Sequence, residues 1–254
     1  MKRQILSSIA VLLACGAVRA QTPPTGQAIL DMLEKQNKLG SDLRSRVNLT
    51  QTKTGQGAKQ MTLQYFRRDK DDAFAMLIEA PESDRGNGYL RQGEHFWMYR
   101  RNTRTFQHVN RDESIGGSNA HGQDFENRKL TSLYAPAPGA AGTPAPEMLG
   151  KKAVWKFEVR AKVSDVDYPR KVFWVAREEW LLLKEQDYSP SGTLMQSSYF
   201  TKYIPVDGRT IPSQMLFVDE FEKGNRTVVE LSEVKTGRIP DETFTKPWIE
   251  SRSK

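Results

Sequence analysis

Residues 43–78 read LRSRVNLTQTKTGQGAKQMTLQYFRRDKDDAFAMLI, and this stretch decides the fold. Leu43, Val47 and Leu49 fall on one side of an extended chain, with Arg44, Arg46, Asn48 and Thr50 on the other. That period of two marks a half-buried strand. Thr54-Gly55-Gln56-Gly57 makes a turn, and Met61, Leu63 and Tyr65 repeat the alternation. After Asp71-Asp72, Phe74, Met76 and Ile78 alternate with Ala73, Ala75 and Leu77. Alternating runs joined by short turns read as antiparallel hairpins.

Working outward, 89–91, 95–101 and 105–110 read as further short strands. Others follow at 154–162, 170–176, 180–188, 194–204, 212–219 and 225–234, with Gly192, Gly208 and Gly224 in the gaps. The expectation is a mainly β protein, an antiparallel meander of about eleven strands with one or two helices. Thr25 caps a helix over 26–37, with Ile29, Leu30, Met32 and Leu33 at helical spacing, and Asp124 is expected to cap a second running through Leu133. Residues 112–124 carry Gly116-Gly117, Gly122 and almost no apolar side chain, the texture of a long mobile loop. The Pro/Ala-rich tract 135–146 reads as a flexible insertion. Residues 21–254 are expected to form a single domain with that tract as an excursion; two domains joined there is the alternative.

The first twenty residues have the layout of a secretory signal peptide: Lys2 and Arg3, a short apolar run from Ile5 to Val18, and small residues before a cleavage point after Ala20. Leu12-Leu13-Ala14-Cys15 also resembles a lipobox, which would leave a lipid anchor on Cys15. The bulky Leu13 and the short run ahead of it favour Ala20. Cleavage there removes Lys2, Arg3 and Arg19, lowers the net charge from +7 to +4, and leaves a chain without cysteine. Disulfide and thiol chemistry are thereby excluded, and so mild a charge does not argue for nucleic acid. No later apolar run is long enough to cross a bilayer.

Motifs for chemistry are missing: there is no phosphate loop, no G-x-S-x-G, no H-E-x-x-H and no Cys/His metal spacing. His95 and His108 are placed to face each other on paired strands, too few ligands for a metal site. The acid pairs Asp71-Asp72, Asp112-Glu113, Glu178-Glu179 and Asp241-Glu242 fall at turns or strand ends, where solvated acids are expected. No catalytic residue, cofactor or metal is expected. What the strands share is one apolar face: Val47 and Leu49, Leu63 and Tyr65, then Phe74, Met76 and Ile78. Phe96 and Met98, Trp155 and Phe157, and Met215 and Phe217 continue it. A curved sheet incompletely covered by its helices would hold an apolar ligand cavity on that face.

Several segments resemble the LolA-like outer-membrane lipoprotein-sorting proteins, in a longer periplasmic branch. They include Leu49-Thr50-Gln51-Thr52 before a Gly turn, 63–68, Phe74-Ala75-Met76, and Gly93 with Phe96-Trp97-Met98-Tyr99. Tyr168-Pro169 into Val172-Phe173-Trp174-Val175, Asp207-Gly208 with Pro212, and the ending Ile239-Pro240-Asp241-Glu242-Thr243-Phe244-Thr245 extend it. The resemblance implies a periplasmic, non-enzymatic, monomeric carrier with a half-open β barrel under helical lids. Its apolar cavity would take lipid or lipoprotein acyl chains, received from an inner-membrane transporter and passed to an outer-membrane acceptor. It also implies a lid-setting arginine, at Arg67 or Arg68, while Arg100, Arg101 and Arg104 become candidates for head-group or partner contact. A protein-binding sensor that recognises a peptide on the same fold is the alternative.

Overall fold

The computed structural model describes residues 23–127, 129–164 and 166–253. The signal peptide, its cleavage after Ala20 and Cys15 lie outside the described residues. Helix α1 spans Gly26–Asn37, with Thr25 Oγ1 accepting the Ala28 N–H at 3.1 Å, the N-cap read from the sequence. Strands β1 (Leu43–Lys53), β2 (Gly57–Arg68) and β3 (Ala73–Ala80) follow. Then come β4 (Gly88–Gln92), β5 (His95–Arg100) and β6 (Thr105–His108). After helix α2 (Leu130–Leu133) the chain forms β7 (Tyr134–Pro136), β8 (Ala145–Leu149), β9 (Lys152–Ala161) and β10 (Arg170–Ala176). It ends with β11 (Leu182–Tyr188), β12 (Leu194–Val206), β13 (Arg209–Asp219), β14 (Arg226–Thr236) and helix α3 (Lys246–Arg252).

These strands form one open antiparallel sheet in the order β6-β5-β4-β3-β2-β1-β14-β13-β12-β11-β10-β9-β7, with β8 paired to β9. The β1–β14 pairing, Val47 opposite Leu231 and Leu49 opposite Val229, makes the sheet continuous between the two halves of the sequence. Laid flat at about 4.8 Å per strand, such a row would span roughly 60 Å. Instead Phe96 of β5, Leu63 of β2 and Phe157 of β9 belong to one buried cluster. The sheet therefore curls around a common inner core.

The expected class, mainly β and antiparallel, stands, but among the described residues the count is fourteen strands rather than about eleven, with three short helices rather than one or two. Two of the additional strands come from the Pro/Ala-rich region: β7 and β8 both pair with β9. Proline is tolerated there because these are edge positions, where a missing N–H breaks no ladder. Helix α3 is a second addition, started by Thr245, whose Oγ1 accepts the Trp248 N–H at 3.4 Å, with Pro247 in its first turn. The helix expected from Asp124 is instead a single 3-10 turn at Gly122–Asp124 followed by the four-residue α2. Residues 112–124 lack regular strands yet are tightly packed, Ile115 and Ala120 being wholly buried.

Both sheet faces are covered in places. Along β3 every residue from Ala73 to Ile78 is buried. Phe74, Met76 and Ile78 enter the inner core, while Ala73 and Ala75 join Leu90, Tyr99, Ile239, Phe244 and Ile249 in a second cluster on the outer face. Small alanines there let the C-terminal segment lie close against the sheet.

Candidate functional site

Alternation places the apolar side chains singled out above on the inner face, strand after strand. Val47 lies across from Leu63 on β1 and β2; Leu63 and Tyr65 face Ile78 and Met76 of β3. Phe96, Trp155, Phe157, Met215, Phe217, Leu49 and Phe74 complete the surface, and all are buried, whereas Met98 packs against it half-buried. The sheet thus brings all of these residues into one cluster.

What buries them is a cover of two parts. Helix α1 contributes Ile29, Leu30 and Leu33; the segment 109–133 contributes Ile115, Ala120, Phe125 and Leu130. That segment threads through the inside of the sheet like a plug. Tyr65 donates its hydroxyl to the Phe125 carbonyl and meets the Phe125 ring edge-on at 5.7 Å. Gln51 donates to the Gly117 carbonyl, and Asn119 N–H donates to Thr227 Oγ1 at 3.0 Å. Glycines permit the fit: a Cβ on Gly122 would stand 2.5 Å from Phe96 Cε1. The two cover parts are tied together by Glu34, which accepts from the Thr131 N–H at 2.8 Å and the Thr131 hydroxyl at 2.7 Å.

Two apolar gaps beside the cover are small. A gap of about 40 Å³ lies among Leu33, Leu130, Leu182 and Phe200, and one of about 30 Å³ among Leu43, Tyr65, Phe125 and Met215. Each is about the room one water molecule takes in the liquid. In this conformation the inner face is closed, and an acyl chain could reach it only in place of the cover.

Successive residues of a strand face opposite ways, and Arg67 and Arg68 show the consequence. Arg67 turns inward, where Nη2 donates to the Asn37 carbonyl at the C-terminal end of α1 (2.6 Å), while Asp69 pairs with Nε at 2.5 Å. A cation suits a helix C-terminus. Burial alone would lower the Arg67 pKa, but Tyr65 and Asp69 outweigh it and keep the guanidinium charged. Arg68 turns outward to Asp42 (2.8 Å), Asp241 (2.6 Å), the Ile239 carbonyl and the Phe244 ring. Burial pushes Asp42 up, yet the hydrogen bonds from Arg68 and Ile239 N–H prevail and hold its carboxyl below the usual range. Arg67 therefore holds helix α1 and Arg68 the C-terminal segment. Arg100, Arg101 and Arg104 lie exposed at the β5–β6 hairpin, away from the inner core.

One polar feature of the inner face was not anticipated. Lys171 of β10 is buried with Glu185 Oε1 at 2.6 Å and Asp187 Oδ1 at 2.7 Å, between the rings of Tyr134 and Tyr168. Its neighbours Phe173 and Val175 point the same way, so strand parity alone was the available signal. Burial raises the Asp187 carboxyl above its ordinary range, with Lys171 pulling the other way. These groups border a polar cavity of about 170 Å³ together with Asp112, Asp124, Lys129 and Asp167. His95 and His108 lie with ring centroids 5.8 Å apart, and no group of three or more metal-ligating side chains occurs among the described residues.

A LolA superfamily protein from Nitrosomonas europaea superposes with a TM-score of 0.74 at 19% identity, over 89% of this chain and 99% of its own. An outer membrane lipoprotein-sorting protein domain from Vibrio parahaemolyticus gives 0.76 at 15% identity, over 88% and 97%. A DUF1329 family protein from Desulfovibrio piger gives 0.76 at 18%, over 88% and 98%. At these identities the likeness establishes a shared fold, in accord with the LolA-like resemblance read from the sequence. A family model described as "-like: Uncharacterized protein" matches residues 70–251, and the chain belongs to that family. No curated protein matches the sequence.

Proposed function

We propose that this protein is an exported, non-enzymatic carrier that binds the acyl chains of a lipid or lipoprotein on the inner face of its sheet and moves them through the periplasm toward the outer membrane. The observation that carries this reading is the continuous apolar inner surface, from Phe96 across Leu63 and Met215 to Phe157, closed by a cover of helix α1 and the segment 109–133 rather than by further strands. The name of the Vibrio relative points the same way. Among the described residues no helix is long and apolar enough to cross a membrane.

The mechanism is an exchange of partners. Each buried methylene contributes about 0.8 kcal/mol, so ten of them supply roughly 8 kcal/mol before ordering costs. Cargo that enters displaces Ile115, Ala120, Phe125 and Leu130 from the same surface, and their lost burial offsets part of that gain. Loading is thereby reversible, as a carrier requires. Arg67 acts as the latch of α1, and Arg100, Arg101 and Arg104 meet head groups or the donor and acceptor proteins.

Native mass spectrometry on protein purified without detergent from the periplasm, followed by solvent extraction, tests this. A stoichiometric lipid or acylated peptide is expected. A mass that remains that of the bare chain after incubation with membranes overturns the carrier reading. Saturable binding of an unlipidated peptide in its place would support the sensor alternative.

A further inference from the structure

A broad recess opens on the outer face of the sheet. It measures about 640 Å³ and lies where the C-terminal segment crosses β1, β2, β3 and the end of β14 without covering them completely. Phe66 and Trp248 form an aromatic floor, edge to face at 5.2 Å. Five cations surround it: Arg44, Arg85, Lys235, Arg238 and Arg252, all exposed. Only two acids line it, Glu79 and Glu242. Glu79 is already engaged by Gln64 Nε2 at 2.6 Å and Arg46 Nε at 3.4 Å. Arg85 has Glu82 at 3.1 Å and Arg252 lies over Trp248, whereas Arg44, Lys235 and Arg238 have no acidic partner among the described residues.

We infer that this outer groove docks an acidic peptide segment of a partner protein, with carboxylates on the cationic rim and one apolar or aromatic side chain on the Phe66–Trp248 floor. Guanidinium groups match carboxylates in a planar, two-pronged geometry, and the excess of cations leaves charge for a ligand to neutralise. The shape separates a peptide from a membrane. The cations and the aromatic pair line one concavity, which a side chain of a peptide can enter and a flat bilayer surface cannot fill. A partner seated outside also leaves the inner face free for cargo. The inference names a partner class for the carrier and rests on that reading for its biological meaning.

The test uses the full mature chain and a fluorescein-labelled peptide rich in glutamate with a central phenylalanine, followed by anisotropy at low and at physiological salt. Binding that weakens with salt is expected, and the exposed double substitution Lys235→Glu with Arg238→Glu should weaken it about tenfold or more. Lys151→Glu, an exposed control remote from the groove, should leave it unchanged. No peptide binding at low salt, or equal binding by the double variant, overturns the inference. So does a double variant that loses only capture by phosphatidylglycerol vesicles, which would make the surface membrane-facing. Lipid loading by native mass spectrometry on the same samples separates the two readings. Peptide binding without loading removes the carrier reading and leaves the groove; loading with no effect of the charge reversal does the opposite.

Discussion

Replacing Gly122 with alanine should make the protein less stable and a better lipid binder. The new Cβ would stand 2.5 Å from Cε1 and 2.8 Å from Cζ of Phe96, and 3.2 Å from the Arg111 carbonyl oxygen. Phe96 is only 1% exposed and has Phe74 against it at 5.4 Å, so its ring has nowhere to retreat. Overpacking of this kind costs about 1–3 kcal/mol. The cost falls on the closed state alone, because an opened plug no longer crosses the ring. A shift of about 2 kcal/mol raises the open population roughly 30-fold, and apparent affinity rises by the same factor while the open form remains the minor one. Hydrogen exchange of residues 109–133 would report the opening, and titration with a fluorescent fatty acid would report the affinity. Faster exchange across 109–133 without tighter binding would refute the idea that this segment competes with cargo for the inner face.

Other outcomes follow from the same geometry. Arg67→Ala should speed exchange in residues 26–37 and Arg68→Ala in residues 239–252, each costing about 3–5 kcal/mol because a buried carboxylate loses its cation. If both substitutions loosen the same segment, the division of labour between them is wrong. Asp42 titrates below its ordinary value of 3.8, so the stability it contributes is present above that pH and is lost as the pH falls through its lower folded value. Acid titration followed by the fluorescence of Trp248, in a variant lacking the other tryptophans, should show the C-terminal segment releasing below about pH 4. Asp42→Asn should remove that transition. Lys171→Met should cost about 3–5 kcal/mol by taking the ammonium from Glu185 and Asp187, and adding Glu185→Gln and Asp187→Asn should restore most of it. Thermal melts of the single and triple variants decide the point.

The strands that build the inner face were legible because a period of two survives in the sequence wherever one face is buried and the other wet. Helix α1 was legible from Thr25 and its apolar spacing. The plug was not, since it buries few large side chains and owes its fit to Gly116 and Gly122, which read locally as a loop. Strand β8 was hidden by Pro146 and by Pro144 just ahead of it, and the seven-residue α3 is too short for a helical period to stand out. The cationic groove is assembled from β1, the β3–β4 turn, β14 and the C-terminal segment. Nothing local to any one of those stretches announces it.

The opposed directions of Arg67 and Arg68 have a consequence for how such a protein can change. Odd-numbered positions of β2, such as Met61, Leu63 and Tyr65, write the inner face; even-numbered ones, such as Gln64 and Phe66, write the exterior. A single ribbon of chain thus carries two texts in alternate letters. Substitutions in one register can retune the inner face while the other register preserves the exterior, and only where the two arginines stand side by side do the texts touch.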